Sequence, residues 1–388
     1  MFRMAVGHSG DIDPVVAIGE ALGRCERELG GDRARAGLLF CTYDTDVQPL
    51  VAAVRAAHPD IQLAGSTSAG EMTSVLGFQE DSVALALFAS DTIEITAGFG
   101  EGVSAGPAAA ARAALDRALA GTTQPPRLCI AVPCITGDDP TDTLRELQGA
   151  LGPDVPVLGG GSAPRTPPDE PRVARQFCND SVLEDAAVVL LFSGPLSFSF
   201  GVDTGWRPIG ARGRVTESVG NVIRTIDDEP ALAFYQRYLG EGGRPTPANP
   251  LAVYEGAGDD FYLRVPLASD VDAGTVVVTG GIPNGVEVRL TVAVTDEIFA
   301  GTKSAIDKAR AGFPGPAGPA AALVFSCAIR KLVLGTRTGR EVDIARTELG
   351  EDVPISGFYC FGEIAPIAPG ATRFHNETVV AVLIGESA

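Results

Sequence analysis

Glu71 and Glu363 each follow a glycine directly, at the ends of the stretches Gly65-Ser66-Thr67-Ser68-Ala69-Gly70-Glu71 and Gly357-Phe358-Tyr359-Cys360-Phe361-Gly362-Glu363. Two such carboxylates could grip an α-ammonium group or exchange protons. The alternative for acids so placed is capping of a turn or helix. Glycine lets a ligand approach main-chain amides, and the hydroxyls of Ser66 and Thr67 can donate or accept. Arg330 lies just past Cys327, where a planar guanidinium could hold a ligand carboxylate through two parallel hydrogen bonds, or else form a structural salt bridge to Glu363 or Glu341. Cys327 is a nucleophile only if a neighbouring base lowers its pKa. Cys41 and Cys134 read as its counterparts and have no histidine nearby, which favours packing. Of the histidines, His58 precedes Pro59 at a helix end. His8 ends the first strand and His375 enters the last one beside Asn376, each either within reach of a cleft or held by internal hydrogen bonds. No HExxH, GxxxxGK[ST], GxSxG or zinc spacing occurs, which takes away the usual anchors of an enzyme.

The elements that would position these residues recur. An apolar strand ending in Cys (Leu38 to Cys41) leads to a helix from about Asp46 to Ala57, the strand Ile61 to Gly65, a polar loop, and the run Ser82 to Phe88. The order returns as Ile130 to Cys134, Pro140 to Leu151, Val155 to Gly159 and Ala187 to Phe192. It returns again as Leu323 to Cys327, Arg340 to Leu349, Val353 to Gly357 and Thr378 to Ile384. Each set is preceded by a strand and helix: Arg3 to Val6 with Pro14 to Leu29, Thr92 to Phe99 with Pro107 to Leu119, and Val286 to Val294 with Asp296 to Ala311. The pattern predicts an α/β (mixed α+β) fold of pseudo-repeated β-α-β-α-β-β units at about 1–90, 92–194 and 286–385, with mixed sheets covered by helices. The second loop of the series reads Gly159-Gly160-Gly161-Ser162-Ala163. Different material, about Pro195 to Gly285, separates the second and third units, and a domain boundary is placed close to Val222.

Composition sets outer limits. The chain has 388 residues, ample for a large core, and a net charge of −19, which disfavours nucleic acid and anionic lipid. Apolar runs break well short of the roughly 20 residues a membrane span needs. The start, Met1 to His8, reads as a strand rather than a signal peptide, so a cytoplasmic location is expected. Seven scattered cysteines with no CxxC pair suggest reduced thiols.

Ala64-Gly65-Ser66-Thr67-Ser68-Ala69-Gly70-Glu71 resembles the FIST N-terminal signature. Phe325-Ser326-Cys327 with Arg330 and Gly335, Gly357-Phe358-Tyr359 with Gly362-Glu363-Ile364, and His375-Asn376-Glu377-Thr378 resemble the FIST C-terminal signature. Asn249-Pro250-Leu251 and Pro230-Ala231-Leu232 match landmarks of the second half, while Ile329 and Lys331 flank Arg330 where smaller residues are expected. The resemblance implies a FIST N-terminal domain over 1–221 and a FIST C-terminal domain over 222–388, forming a sensory input module. Its ligand would be a small polar molecule such as an amino acid or other carboxylate, bound by Ser66, Thr67, Glu71, Cys327, Arg330, Gly362, Glu363, His375 and Asn376. No cofactor is required. Nothing resembles an output domain, so a signal would pass to a separate signalling protein or through oligomerisation. Two further readings are a haem-binding gas sensor, with His375 and less readily His8 or Cys327 as axial ligand, and an unrecognised Cys or carboxylate enzyme.

Overall fold

The computed structural model describes residues 1–135, 140–162, 174–255, 258–316, 318–367 and 371–387, so Ala163 of the second glycine loop lies outside the described residues. In chain order the first unit carries β1 (Arg3–Ser9), α1 (Pro14–Leu29), β2 (Ala36–Thr42), α2 (Val47–Ala57), β3 (Gln62–Ser68), a hairpin of β4 (Glu71–Thr73) and β5 (Gly77–Gln79), and β6 (Val83–Ala89). The second carries β7 (Glu94–Glu101), α3 (Pro107–Ala120), β8 (Pro126–Ala131), α4 (Thr141–Leu151), β9 (Val157–Gly160), a hairpin of β10 (Arg175–Cys178) and β11 (Ser181–Glu184), and β12 (Ala186–Ser193). After β13 (Leu196–Asp203) come β14 (Arg207–Val219), β15 (Val222–Ile226), β16 (Glu229–Pro230), α5 (Ala231–Leu239), β17 (Leu251–Tyr254), β18 (Tyr262–Arg264), β19 (Pro266–Asp270), β20 (Thr275–Val278) and β21 (Glu287–Val292). The chain ends with α6 (Thr295–Gly312), β22 (Ala321–Cys327), α7 (Ala328–Leu334), α8 (Arg340–Leu349), β23 (Ile355–Cys360), a hairpin of β24 (Glu363–Pro366) and β25 (Thr372–His375), and β26 (Val379–Glu386).

Three sheets share one strand order: β1-β6-β2-β3-β10-β11, β7-β12-β8-β9-β24-β25 and β13-β26-β22-β23-β4-β5. In each, four strands come from one unit and the last two are a hairpin lent by another. The second unit lends to the first, the third to the second and the first to the third, closing a ring of exchanges. Within each sheet the second and third strands of the unit run parallel. The fold is therefore mixed α/β.

The third unit does not open at Val286 to Val294. That stretch forms β21, which pairs with β14 and β17 in the separate inserted sheet, while β13 pairs with β26 in the place that β1 and β7 hold. Both stretches are apolar runs of strand length, so periodicity alone favours the one nearer to α6. Sterics separate them. A Cβ on Gly7, Gly98 or Gly201 would lie 2.0, 2.1 or 2.0 Å from the carbonyl oxygen of Ala21, Ala114 or Ala305, on α1, α3 and α6 respectively. Only glycine lets strand and helix approach so closely, and the third of these residues is on β13. The boundary expected near Val222 falls at the tight turn between β14 and β15, inside the inserted sheet.

The inward faces of the three sheets meet in one apolar cluster that includes Phe40, Phe88, Phe192, Phe325 and Phe358. Phe40 of the first unit stacks on Phe358 of the third at 4.2 Å, and Phe88 meets Phe192 of the second edge-on at 5.6 Å. Helices cover the outward faces: α1 and α2 on the first sheet, α3 and α4 on the second, α6 and α8 on the third. The start of α1 shows the local logic. Pro14 fits the first helical position, Asp13 accepts from the amides of Val15 and Val16, and Gly30 ends the helix at φ 61°.

Candidate functional site

The carboxyl ends of the parallel strands bring together three pairs in register: Thr42 with Ser68, Cys134 with Ser162, and Cys327 with Cys360. Backbone bonds place them alike, since the amides of Thr42, Cys134 and Cys327 donate to the carbonyls of Ser82, Ala186 and Thr378. The expected equivalence of Cys41 with Cys134 and Cys327 is thus off by one residue. Cys41 faces the helix-side cluster, and Thr42 holds the corresponding place. The spelling of the sequence, with a cysteine ending each apolar run, conceals that offset.

A lent hairpin supplies one polar side chain next to each pair. Ser68 and Ser82 both donate to Glu71, the first at 2.5 Å. Gln176 donates to Ser162 at 2.7 Å and accepts from the Ala186 amide at 3.1 Å. Glu363 accepts from the Cys360 thiol at 3.3 Å, from the Thr378 amide at 3.0 Å and from its hydroxyl at 2.7 Å. All three side chains are fully buried. Burial lifts Glu71 and Glu363 to about 7, against the hydrogen bonds each receives. Gln176 escaped the reading of the sequence because it belongs to a hairpin distant from the glycine loops, and no motif marks it.

The neighbours of Glu71 form a directed relay. Thr73 accepts from the amides of Val75 and Leu76, so its hydroxyl donates to Nδ1 of His8 at 2.8 Å. Nε2 of His8 then donates to Ser82 at 2.9 Å, and Ser82 donates to Glu71. Thr67 spends its hydroxyl on β10, accepting from the Arg175 amide at 3.0 Å. The Ser66 hydroxyl is buried with no hydrogen-bond partner among the described residues. Gly362, at φ 104°, makes the turn into β24, where a Cβ would meet the Phe374 ring at 2.0 Å.

Arg330 faces inward. Its guanidinium, 0% exposed, bonds Glu341 through Nε at 3.1 Å and through a terminal nitrogen at 2.6 Å. It also bonds the Thr302 hydroxyl at 2.8 Å and the carbonyls of Ile298, Thr204 and Glu377. Burial alone would raise Glu341, but Arg330, with Thr302 and Tyr359, holds it below the usual carboxylate range. Of the two readings open for Arg330, the geometry matches the salt bridge to Glu341.

Two of the glycine loops reach a cleft, through Ala69 and Phe361. Between the first and third units, a hollow of about 620 Å³ is lined by Thr42, Asp44, Glu80, Asp81, Lys331 and Phe361, among others. Ala69 of the first glycine loop and Ala328 and Ile329 of α7 complete its wall next to Glu71 and Cys327. Lys331 crosses the cleft from α7, donating to the Ala69 carbonyl at 2.6 Å and pairing with Glu80 at 2.8 Å. Its side chain remains 19% exposed.

His375 and Asn376 sit elsewhere. Asn376 accepts from Thr279 at 2.6 Å, tying the inserted sheet to the third unit, and Nε2 of His375 meets the Ala365 carbonyl at 3.0 Å. Burial pushes both His8 and His375 down to about 4. An axial haem ligand needs a ring nitrogen turned to a cavity that takes the macrocycle. Both nitrogens of His8 are bonded internally, and Nε2 of His375 is bonded within the last hairpin, so these residues do not fit haem.

The family profile of the FIST N domain matches residues 35–229, and that of the FIST C domain matches residues 231–366. Two uncharacterized proteins from two strains of Mycobacterium tuberculosis are each 28% identical over 258 residues, covering 63% of this chain and 64% of their own length. The match therefore spans just under two thirds of those relatives. Among solved structures, a cyanuric acid hydrolase from A. caulinodans covers 100% of both chains at 11% identity with a TM-score of 0.36. A second cyanuric acid hydrolase covers 99% of this chain at 10% identity with a TM-score of 0.33. Likeness that slight bears on neither activity nor substrate.

Proposed function

Since the chain belongs to the FIST family, sensory domains of signalling proteins that bind small ligands, we propose that the cleft between α7 and the first unit takes a small polar molecule bearing both an ammonium and a carboxylate group, as an amino acid does. The supporting observation is the wall of the cleft: one partly exposed cation, Lys331, facing Asp44, Glu80 and Asp81. A carboxylate would compete with the exposed Glu80 for Lys331, and an ammonium would be held by the acids. Because the first and third units contribute opposite walls, an occupant bridges them and favours whichever arrangement closes the cleft. A change of that kind is what a sensory module passes to a signalling partner.

The test is calorimetric binding of an amino acid panel to the purified protein, together with mass spectrometry of any molecule that co-purifies. Lys331→Gln should weaken the best binder by roughly tenfold, about 1.4 kcal/mol, while leaving the melting profile in place. Affinity unchanged by Lys331→Gln would move the ligand out of this cleft. No helix among the described residues is long and apolar enough to cross a membrane.

A further inference from the structure

The three equivalent pairs at the strand ends differ in chemistry. The first is Thr42 with Ser68 and the second Cys134 with Ser162, and neither can form a disulfide. Only the third, Cys327 with Cys360, brings two thiols together, on neighbouring parallel strands and in register. Neighbouring strands lie about 4.7–4.9 Å apart, inside the ~4.4–6.8 Å range of Cα separations that a disulfide bridges. Paired positions share a face of the sheet, the Cys360 thiol donates to Glu363 at 3.3 Å, and the charge of the same carboxylate acts on Cys327. The residues that follow them, Ala328 and Phe361, line the cleft, so both sulfurs sit one residue behind its wall.

We infer that Cys327 and Cys360 are a redox-active pair, converted to an intramolecular disulfide by a small peroxide entering through this cleft, with Glu363 as the proton carrier. The chemistry balances. The Cys327 thiol passes its proton to Glu363 and the sulfur attacks one peroxide oxygen. The O–O bond breaks, and the departing hydroxide takes the proton back from Glu363 as the first water, leaving Cys327 as a sulfenic acid. Cys360 then gives its proton to Glu363 and attacks the Cys327 sulfur. The S–O bond breaks, and the hydroxide that leaves takes this proton from Glu363 as the second water. Two thiols are oxidised by two electrons, and one peroxide is reduced to two waters.

Burial, and then the charge of Glu363, pushes both thiols well above their ordinary range. Neither is a spontaneous thiolate, so the step depends on the carboxylate beside them. The inference does not depend on which ligand the cleft takes.

The experiment treats the folded protein with hydrogen peroxide, quenches it, alkylates it under denaturing conditions and maps the peptides by mass. The expected result is a single link between the Cys327 and Cys360 peptides, reversed by dithiothreitol, with the other five of the seven cysteines still alkylatable. Cys327→Ser and Cys360→Ser should each abolish the link. Seven free thiols after treatment, a link between other cysteines, or sulfinic acid without a link would overturn the pair. Glu363→Gln, which keeps the hydrogen-bonding shape that Gln176 has in the first sheet, should slow cross-linking by on the order of a hundredfold and flatten its rise through pH 7. An unchanged pH profile would remove Glu363 from the reaction.

Discussion

Arg330 and Glu341 are each no more than 1% exposed at the side chain, so each depends on the other to remain charged in an apolar setting. Replacing Arg330 with methionine should destabilise the protein by about 3–5 kcal/mol in urea unfolding, and Glu341→Gln should cost much of the same energy, with the double variant far from additive. A well-folded Arg330→Met protein of normal stability would reopen a role for Arg330 in binding. Glu71 carries a pH prediction. Its carboxyl is raised from 4.5 to about 7 by burial, so between those values the folded state binds more protons than the unfolded one. The stability it contributes is full below 4.5 and is lost as pH rises through 7. Glu71→Gln should remove that dependence, so the stability difference between variant and parent should grow by about 3 kcal/mol across the interval. Gln176 indicates that the amide fits. The matching places of Glu71 and Glu363 were legible because each follows a glycine. For Arg330 the sequence offered the salt bridge to Glu341 beside a ligand contact without choosing between them, since its acceptors come from α6, α8 and two loops that no local pattern joins.

Among the elements, most strands and helices of the three units were legible from β-branched runs and alanine-rich periodicity, but the first strand of the third unit was placed at β21 instead of β13 and the β4-β5 hairpin read as a polar loop. The glycines were visible too, but their reason was not. Gly65, Gly159 and Gly357 stand where a Cβ would lie 1.9, 2.0 and 1.8 Å from the carbonyl oxygen of Leu39, Ala131 and Val324 on the adjacent parallel strand. What reads as a loop signal is a close contact inside a sheet. Gly357→Ala should therefore cost at least about 1–3 kcal/mol in thermal or urea unfolding. Gly19, in α1, provides the contrast, since a Cβ there would meet nothing within 4 Å among the described residues. Gly19→Ala should stabilise the protein by about 1 kcal/mol. Equal effects at the two positions would show that the strand contact is not what requires Gly357.

For the whole molecule, the exchanged hairpins decide how the chain folds. The first half sends β4 and β5 to the third sheet, and the second half sends β24 and β25 to the second sheet. Each half therefore leaves one sheet unfinished, the second sheet in the first half and the third sheet in the second half. Fragments 1–194 and 195–388, expressed apart, should each lack a cooperative melting transition, and mixing them from denaturant should restore one. Two separate cooperative transitions from the isolated fragments would mean that the exchange is dispensable. Nothing in any unit's own sequence announces the ring, because the stretch of β4 and β5 reads as a polar loop and no local signal says which sheet receives a hairpin.

The inserted sheet leaves the third unit between β13 and α6, where the first two units have only the short connections 10–13 and 102–106. Its first and last strands are antiparallel neighbours, with Arg207 opposite Val292, so the chain departs and returns side by side. In building terms this is a socket: any module whose ends lie one strand spacing apart can be plugged in without disturbing the ring. The molecule has three such sockets, and two of them still hold only a short loop. A foreign domain with adjacent termini, spliced at 10–13 or 102–106, should fold there as the native insert does in its own place.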